Sequence, residues 1–471
     1  MSMVSPRSAA VYGAFAVGLA GGLLTGCKRQ PPTPAPSAAV SAAPSAVPSA
    51  EDVNGPDGAP LPAQCRHLPG YALTLEAPPL PKPGKADRET AEDEDDDALL
   101  PFGVAIGGAV PTPFGFAVAG IRGAGQAFAG LVGEHASHRI DLGELHGDAE
   151  TPALAPAGDG LVVALRSTDA AGFTLRLGRI SGAEASVVEW GFELSKLGKM
   201  VNGVAVAVAV GGTRGVLVYQ GEEKHGSTRL FLGTFSISSL KDAFEVKPLE
   251  AKDVEMPRLT ARPGGYWLSW VRTLPEPKKS VKPAVDAGPP PDPEERELLD
   301  VGLRVVEVAK LDEQGKLQGA ARRIGEQRRQ VLLYDVGLLA SGGLLIAARS
   351  DSAVPGAEGG ALLLSELLPD GSVHEERLDD EELGAGAPAL LVDGDVKQPG
   401  PWLSMSAPND ATRLGLARGR QSVLQADPLL GHGEVIAVSA GHFLVQRARG
   451  RGVALEALDC SWPSDAAAKK E

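Results

Sequence analysis

Aromatic residues are scarce in this chain: five Trp, five Tyr and eleven Phe make up only 4% of 471 residues. Hydrophobic residues still reach 43%, enough for a sizeable core, which excludes wholesale disorder. Bases are also in deficit, with 45 Lys and Arg against 60 Asp and Glu for a net charge of −15. Nucleic acid is therefore excluded as a partner, since neutralising phosphates needs clustered Lys and Arg. Familiar catalytic signatures are missing as well. There is no Gly-x-Ser-x-Gly elbow, no phosphate-binding loop, no His-Glu-x-x-His and no Ser-x-Asp-x-Gly-x-x-Trp box. Beyond the N-terminus no stretch free of both charge and Pro reaches the ~20 residues that a spanning helix needs. What the chain has in quantity is Gly (59) and Pro (38), which interrupt helices and initiate turns. Many short strands are expected, not a helical protein.

The first 27 residues carry a strong local pattern. Arg7 supplies a positive segment, Ala9 to Leu24 is an uncharged run of small and apolar residues, and Leu24-Thr25-Gly26-Cys27 follows. This resembles the signal peptide and lipobox of bacterial lipoproteins. The resemblance implies removal of residues 1–26, diacylglyceration of Cys27 and acylation of the new amino terminus. Several acyl chains, at ~0.8 kcal/mol per buried CH₂, would hold the protein durably on a membrane. Lys28 follows the Cys where an Asp would imply inner-membrane retention, so outer-membrane delivery is expected.

Residues 27–64 form a Pro/Ala/Ser-rich tether, and such composition buries too little apolar surface to offset its ordering entropy. Two further stretches, 77–100 and 274–297, are Pro-rich and charged and read as disordered, as does the polar tail 464–471. The acidic runs Glu92-Asp-Glu-Asp-Asp-Asp97 and Glu375 to Glu382 read as solvated loops. Calcium binding is the alternative there, but oxygen ligands need a turn that arranges them. With Cys27 assigned to lipid, Cys65 and Cys460 remain as a disulfide pair for an oxidising compartment.

Between these breaks the chain repeats. A Gly, an apolar strand and an Arg recur as Gly115 to Arg122, Gly160 to Arg166, Gly265 to Arg272, Gly343 to Arg349 and Gly441 to Arg447. Pro-x-Leu opens the preceding strand at Pro152, Pro257 and Pro388. Units start near 104, 152, 203, 257, 331, 388 and 434. Four short antiparallel strands per ~50 residues is the pitch of a β-propeller blade. The expected fold is all-β: a single propeller over 65–463, with seven four-stranded blades, six or eight being alternatives. The last unit ends one strand short at Cys460, so an N-terminal strand at 71–76 is expected to complete it, removing exposed edges. The whole resembles the divergent repeat propellers of bacteria. The stretch 152–163 is similar to the repeats of TolB-like propellers, although it lacks their Trp-Ser-Pro-Asp-Gly core.

Few residues suggest chemistry. Arg122, Arg166, Arg272, Arg349 and Arg447 sit at equivalent strand ends. Each is expected to pair with loop carbonyls or acids, or together they would form a ring that binds an anionic ligand. His135-Ala-Ser-His138, with His146 nearby, lies at a predicted strand–turn–strand and reads as surface histidine, not a metal site. Trp267 and Trp270 are expected to pack inside a blade. A metal-assisted propeller enzyme would need acids converging from several blades, and the repeats show apolar residues and Arg at that level. The expectation is thus a non-enzymatic binding or scaffold module contacting envelope proteins or glycans, with no cofactor, no metal and no catalytic residue. The alternative is a hydrolase or lactonase-like enzyme with its site in the axial channel.

Overall fold

A computed structural model describes residues 64–79, 103–274, 303–378, 388–391, 402–406, 412–416, Leu429 and 433–461, with short breaks inside these spans. The segment expected as a signal peptide, Cys27, all of the expected tether but Gln64, most of the two stretches near 77–100 and 274–297, His135, His146 and the tail lie outside the described residues.

The chain begins with β1 (Gln64–Leu75) and then lays down sheets in sequence order. Sheet I is β2 (Val104–Thr112), β3 (Gly115–Arg122), β4 (Gln126–Val132) and β5 (Ser137–Glu144). Sheet II is β6 (Ala153–Ala157), β7 (Gly160–Asp169), β8 (Gly172–Ser181) and β9 (Glu189–Leu194). Sheet III holds β10 (Val201–Val208), β11 (Arg214–Glu222), β12 (Thr228–Ser236) and β13 (Val246–Lys252). Sheet IV holds β14 (Val254–Arg262), β15 (Gly265–Leu274), β16 (Leu303–Leu311) and β17 (Arg322–Ile324). In sheet V come β18 (Arg329–Leu338), β19 (Leu344–Ser352), β20 (Ala361–Leu367) and β21 (Val373–Leu378). Sheet VI shows three strands among the described residues: β22 (Ala389–Leu391), β23 (Trp402–Ser406) and β24 (Thr412–Leu416). Sheet VII is β25 (Glu434–Ser439), β26 (His442–Arg449) and β27 (Gly452–Ser461), completed on its outer edge by β1. The fold is all-β, and its antiparallel four-stranded sheets are consistent with a β-propeller.

Burial explains the sequence pattern strand by strand. The second strand of a sheet has neighbours on both edges and other sheets on both faces, so it reads as a continuous apolar run. Phe116 to Ala119 in β3 and Tyr266 to Val271 in β15 are almost fully enclosed. The outermost strand faces water on one side and alternates, as β13 does. Seven apolar clusters each join two sheets: I with II, II with III, III with IV, IV with V, V with VI, VI with VII, and VII with I. Each fully buried Leu, Val or Phe contributes about 1.5–3 kcal/mol, so these interfaces hold the sheets together. First strands touch the first strands of neighbouring sheets, β2 with β6, β6 with β10, β10 with β14, β14 with β18, β18 with β22, β22 with β25 and β25 with β2.

The join between the chain ends uses the expected partners, with a strand that starts earlier, at Gln64, than the expected 71–76. Leu73 lies opposite Leu455, Leu75 opposite Val453 and Cys65 opposite Cys460. Cys65 and Cys460 are disulfide-bonded, with Cα atoms 4.1 Å apart. A bulge between His67 and Ala72 interrupts this pairing, with Gly70 at φ +84°.

Candidate functional site at the first strands

Five of the seven first strands carry a β-bulge against their second strand. The shifts fall between Ile106 and Gly108, Asn202 and Ala205, Glu255 and Arg258, Val331 and Leu333, and Val435 and Ala437. A bulge adds a residue, bends the strand and re-aims its side chains and backbone groups. Here it turns polar groups of several sheets toward one another.

Glu150, just before β6, is the first member. Its Oε2 lies 3.5 Å from Nε of Arg166 on β7. The N–H groups of Gly203 and Val204, in the bulge of β10, donate to the same carboxylate. Gly203 sits at φ +56°, a left-handed turn that an L side chain resists and that lets these amides converge. Arg166 is buried to 5%, and its Nη1 donates to the carbonyl of Val201 and to Asn202 Oδ1 at 2.6 Å. Sheets II and III are thus tied through one guanidinium.

Arg258 on β14 continues the cluster. Its charge acts on Glu150, and its Nε lies 3.8 Å from Asp335 Oδ1 on β18. Asp335 also accepts the N–H of Leu390 at 2.7 Å, from sheet VI, and that of Val336. Beside it, Tyr334 donates to the carbonyl of Met256 at 2.7 Å, and Ser269 Oγ lies 3.3 Å from the phenol oxygen. Met256 is the bulge residue of β14, at φ +52°. A left-handed conformation in a non-glycine residue costs about 1–3 kcal/mol and tends to persist where the surroundings demand it. Residues of sheets II to VI therefore meet in one polar constellation.

Its electrostatics set it apart from a surface ion-pair network. Burial raises the Glu150 carboxyl above its usual range, although Arg166, the amides of Gly203 and Val204, and Arg258 all pull the other way. Burial likewise raises Asp335 against Arg258 and the Leu390 and Val336 amides, and it raises the Tyr334 phenol. Both carboxylates lie deep in protein, yet 29% of the Glu150 side chain and 28% of the Asp335 side chain stay accessible. Both groups are thus enclosed by protein yet partly reachable by solvent. The two acids differ in one respect. Asp335 is surrounded by donors, whereas Glu150 Oε2 accepts no hydrogen bond. Paired carboxyls with raised affinity for protons, flanked by fixed positive charge, are the equipment of general acid–base chemistry.

The residues singled out in the sequence fall elsewhere, with one exception. Arg166 joins the constellation. Arg122 reaches Asp141 at 3.8 Å, Arg272 reaches Glu307 at 3.4 Å and Arg447 reaches Glu456 at 3.4 Å, each within its own sheet. Arg349 is half-buried opposite Leu333 and Leu362. Trp267 and Trp270 pack inside as expected, their indole N–H groups donating to the Gly342 carbonyl and to Glu307 Oε2 at 3.1 Å each. His138 lies on β5 with Nε2 2.7 Å from the Ala185 carbonyl. Among the described residues no three His, Cys, Asp or Glu side chains are grouped to hold a metal ion.

Glu150, Asn202, Arg258 and Asp335 escaped the sequence reading, which held that acids do not converge from different sheets. Their signal is faint: a polar residue on an otherwise apolar first strand, recurring near the repeat starts.

No family model matches the chain, and no curated protein does. Solved structures do. One is a polysaccharide lyase at 10% identity, with 85% of this chain and 99% of that chain covered and a TM-score of 0.46. Another is the GH43_1 enzyme from Xanthomonas citri complexed with xylose, at 12% identity, 58% and 92% coverage and a TM-score of 0.33. A third is a GH32 β-fructofuranosidase from Bombyx mori, at 10% identity, 76% and 90% coverage and a TM-score of 0.30. These similar structures are enzymes, which goes against the expectation of a non-enzymatic module. The likeness is one of fold, and no reaction or substrate follows from it.

Proposed function

We propose that this chain is an envelope hydrolase: a seven-bladed propeller, closed by its N-terminal strand and moored by lipid on Cys27, with its active site in the axial crevice. The observation that carries the enzymatic reading is the convergence of Glu150 and Asp335 on Arg258, from different sheets. Glu150, desolvated and with an oxygen that accepts no hydrogen bond, acts as the general acid on a leaving oxygen. Asp335, which accepts the Leu390 and Val336 amides and faces Arg258, takes the proton from the attacking water in the fraction that is ionised, burial having raised its affinity for protons. Arg166 and Arg258 stabilise the negative charge that develops between them.

Closure and blade number are supported by the seven inter-sheet clusters and by the neighbour-to-neighbour contacts of the first strands. The Cys65–Cys460 bridge supports a location outside the cytoplasm, since disulfides persist in oxidising compartments. The domain limits read from the sequence complete the proposal: signal peptide 1–26, tether 27–64, propeller 65–463 and polar tail. Its partners are the outer membrane, through the lipid, and envelope proteins or glycans within reach of the tether.

The test is turnover of chromogenic glycosides, esters and lactones by the purified protein, scanned across pH. Glu150→Gln should lower kcat by about 10²–10⁴-fold and remove the alkaline limb of the profile, with the melting temperature preserved. Asp335→Asn should remove the acidic limb. Hydrolysis that persists undiminished in both variants, or wild-type protein inert on all three substrate classes, would overturn the assignment.

A further inference from the structure

β2 and β25 end beside an open cleft of about 330 Å³, whose lining shares no residue with the polar constellation. It lies where the β2–β3 turn of sheet I, the β25–β26 turn of sheet VII and the bulge of β1 come together. Tyr71, Thr112, Phe114, Glu134, Ser439 and His442 line it. The volume sits at the low end of the ~300–1,000 Å³ typical of small-molecule sites.

From this cleft we infer a second binding site, distinct from the axial one, for a neutral sugar ring. The lining has no Lys or Arg, and its one acid, Glu134, repels anions. The remaining polar groups are the hydroxyls of Tyr71, Thr112 and Ser439 and the His442 imidazole, each able to donate and to accept. That is the complement of a polyhydroxylated ring, whose own hydroxyls do both. The rings of Tyr71 and Phe114 supply the apolar surface on which the C–H face of a pyranose packs.

Three observations mark the cleft as built for a ligand. Thr112 Oγ1 is buried and makes no hydrogen bond. A χ1 rotation exchanges the Thr methyl and hydroxyl, so a ligand in the cleft offers this oxygen the partner it lacks. Ala440, in the two-residue turn between β25 and β26, holds φ +50°, where Gly or Asn is the ordinary choice. Tyr71 is fixed from several sides. Gly70 turns the chain at φ +84°, Ser137 Oγ donates to the Gly70 carbonyl at 3.1 Å, and the His442 ring meets the Tyr71 ring edge-on at 6.4 Å. A Cβ on Gly115 would come within 3.2 Å of the Tyr71 ring, so a glycine there leaves the ring its place.

The experiment titrates the detergent-solubilised full chain with glucose, galactose, N-acetylglucosamine, cellobiose and maltose, and with glucuronate as the anionic control. Saturation-transfer NMR and melting temperature are the readouts. At least one neutral sugar should bind saturably, and Thr112→Val and Phe114→Ala should each weaken it by about tenfold or more. Thr112→Val should melt at or above the parent temperature, because the hydroxyl it removes has no partner. Glu150→Gln should bind the sugar as the parent does, which separates this site from the axial one. The inference falls if none of the five sugars saturates. Tighter binding of glucuronate than of every neutral sugar overturns it too, as does undiminished binding in both cleft variants.

Discussion

Two inter-sheet junctions of this molecule are held together by different means. Between sheets IV and V, which follow one another in the chain, the apolar cluster is pinned by hydrogen bonds. Tyr334 reaches the Met256 carbonyl, Trp267 the Gly342 carbonyl and Lys310 the Pro369 carbonyl. Between sheets VII and I the cluster around Leu75, Phe128 and Leu455 is apolar, Ser137 Oγ donates across to the Gly70 carbonyl, and the strand that completes sheet VII is held to β27 by a covalent bridge. The difference follows from chain length. Sheets IV and V are neighbours in sequence, so bringing them together closes a short loop. The partners of the bridge are separated by 395 residues, and closing so long a loop has the larger entropic cost. The covalent link sits where entropy opposes closure most.

The sharpest way to break the comparison is to remove the bridge. Cys65→Ser with Cys460→Ser should destabilise the protein by about 2–5 kcal/mol in denaturant titration, and proteolysis should begin at β1. If the double variant melts with the parent, the apolar seam suffices alone. A smaller effect is expected at the other junction. Tyr334→Phe leaves the Met256 carbonyl without its donor and should cost about 0.5–1.5 kcal/mol, read from the same titration.

A pH scan sharpens the comparison further. Burial raises Glu150, before sheet II, and Glu434, at the start of sheet VII. A carboxyl with raised proton affinity in the folded state keeps a proton that the unfolded chain has already released. Its stabilising share is complete below the usual value near 4.5 and is lost as pH rises through the raised value. The melting temperature should therefore decline as pH rises above about 4.5. Glu150→Gln and Glu434→Gln should each flatten that decline, and equal slopes in parent and variants would remove these groups as its cause. The smallest effect is expected at the surface of the seam. Arg66, 81% exposed, pairs with Asp459 at 2.7 Å, and Arg66→Ala should change stability by less than about 1 kcal/mol.

Much of the fold was legible because it is local and periodic. Expected unit starts near 104, 152, 203, 257, 331, 388 and 434 compare with first strands beginning at Val104, Ala153, Val201, Val254, Arg329, Ala389 and Glu434. Gly115 to Arg122 is a strand from end to end, and the bridged cysteines could be paired by elimination. Fourth strands were placed less well. The fourth strand of sheet II, Glu189–Leu194, is half-exposed, and such an outer strand carries a weak pattern. Of the polar constellation only Arg166 was legible. Asn202, Arg258 and Asp335 lie on separate first strands and Glu150 just before another, and no spacing within a repeat records that they come together. Nor could the cleft be read, since the placement of Tyr71 depends on a register shift in β1.

The position of the bridge at the outer tip of β1 also decides how the domain bears mechanical load. Tension arriving along the chain before Gln64 meets Cys65 one residue into the strand and passes through two sulfur atoms to Cys460. The hydrogen bonds from Ala72 to Leu75 lie beyond that point and are shielded from the pull. Tension from the other terminus enters at Ser461 and reaches the same two sulfurs. Force applied at either end is thus carried by a covalent link, so the strand that completes the last sheet cannot be peeled away from its tip.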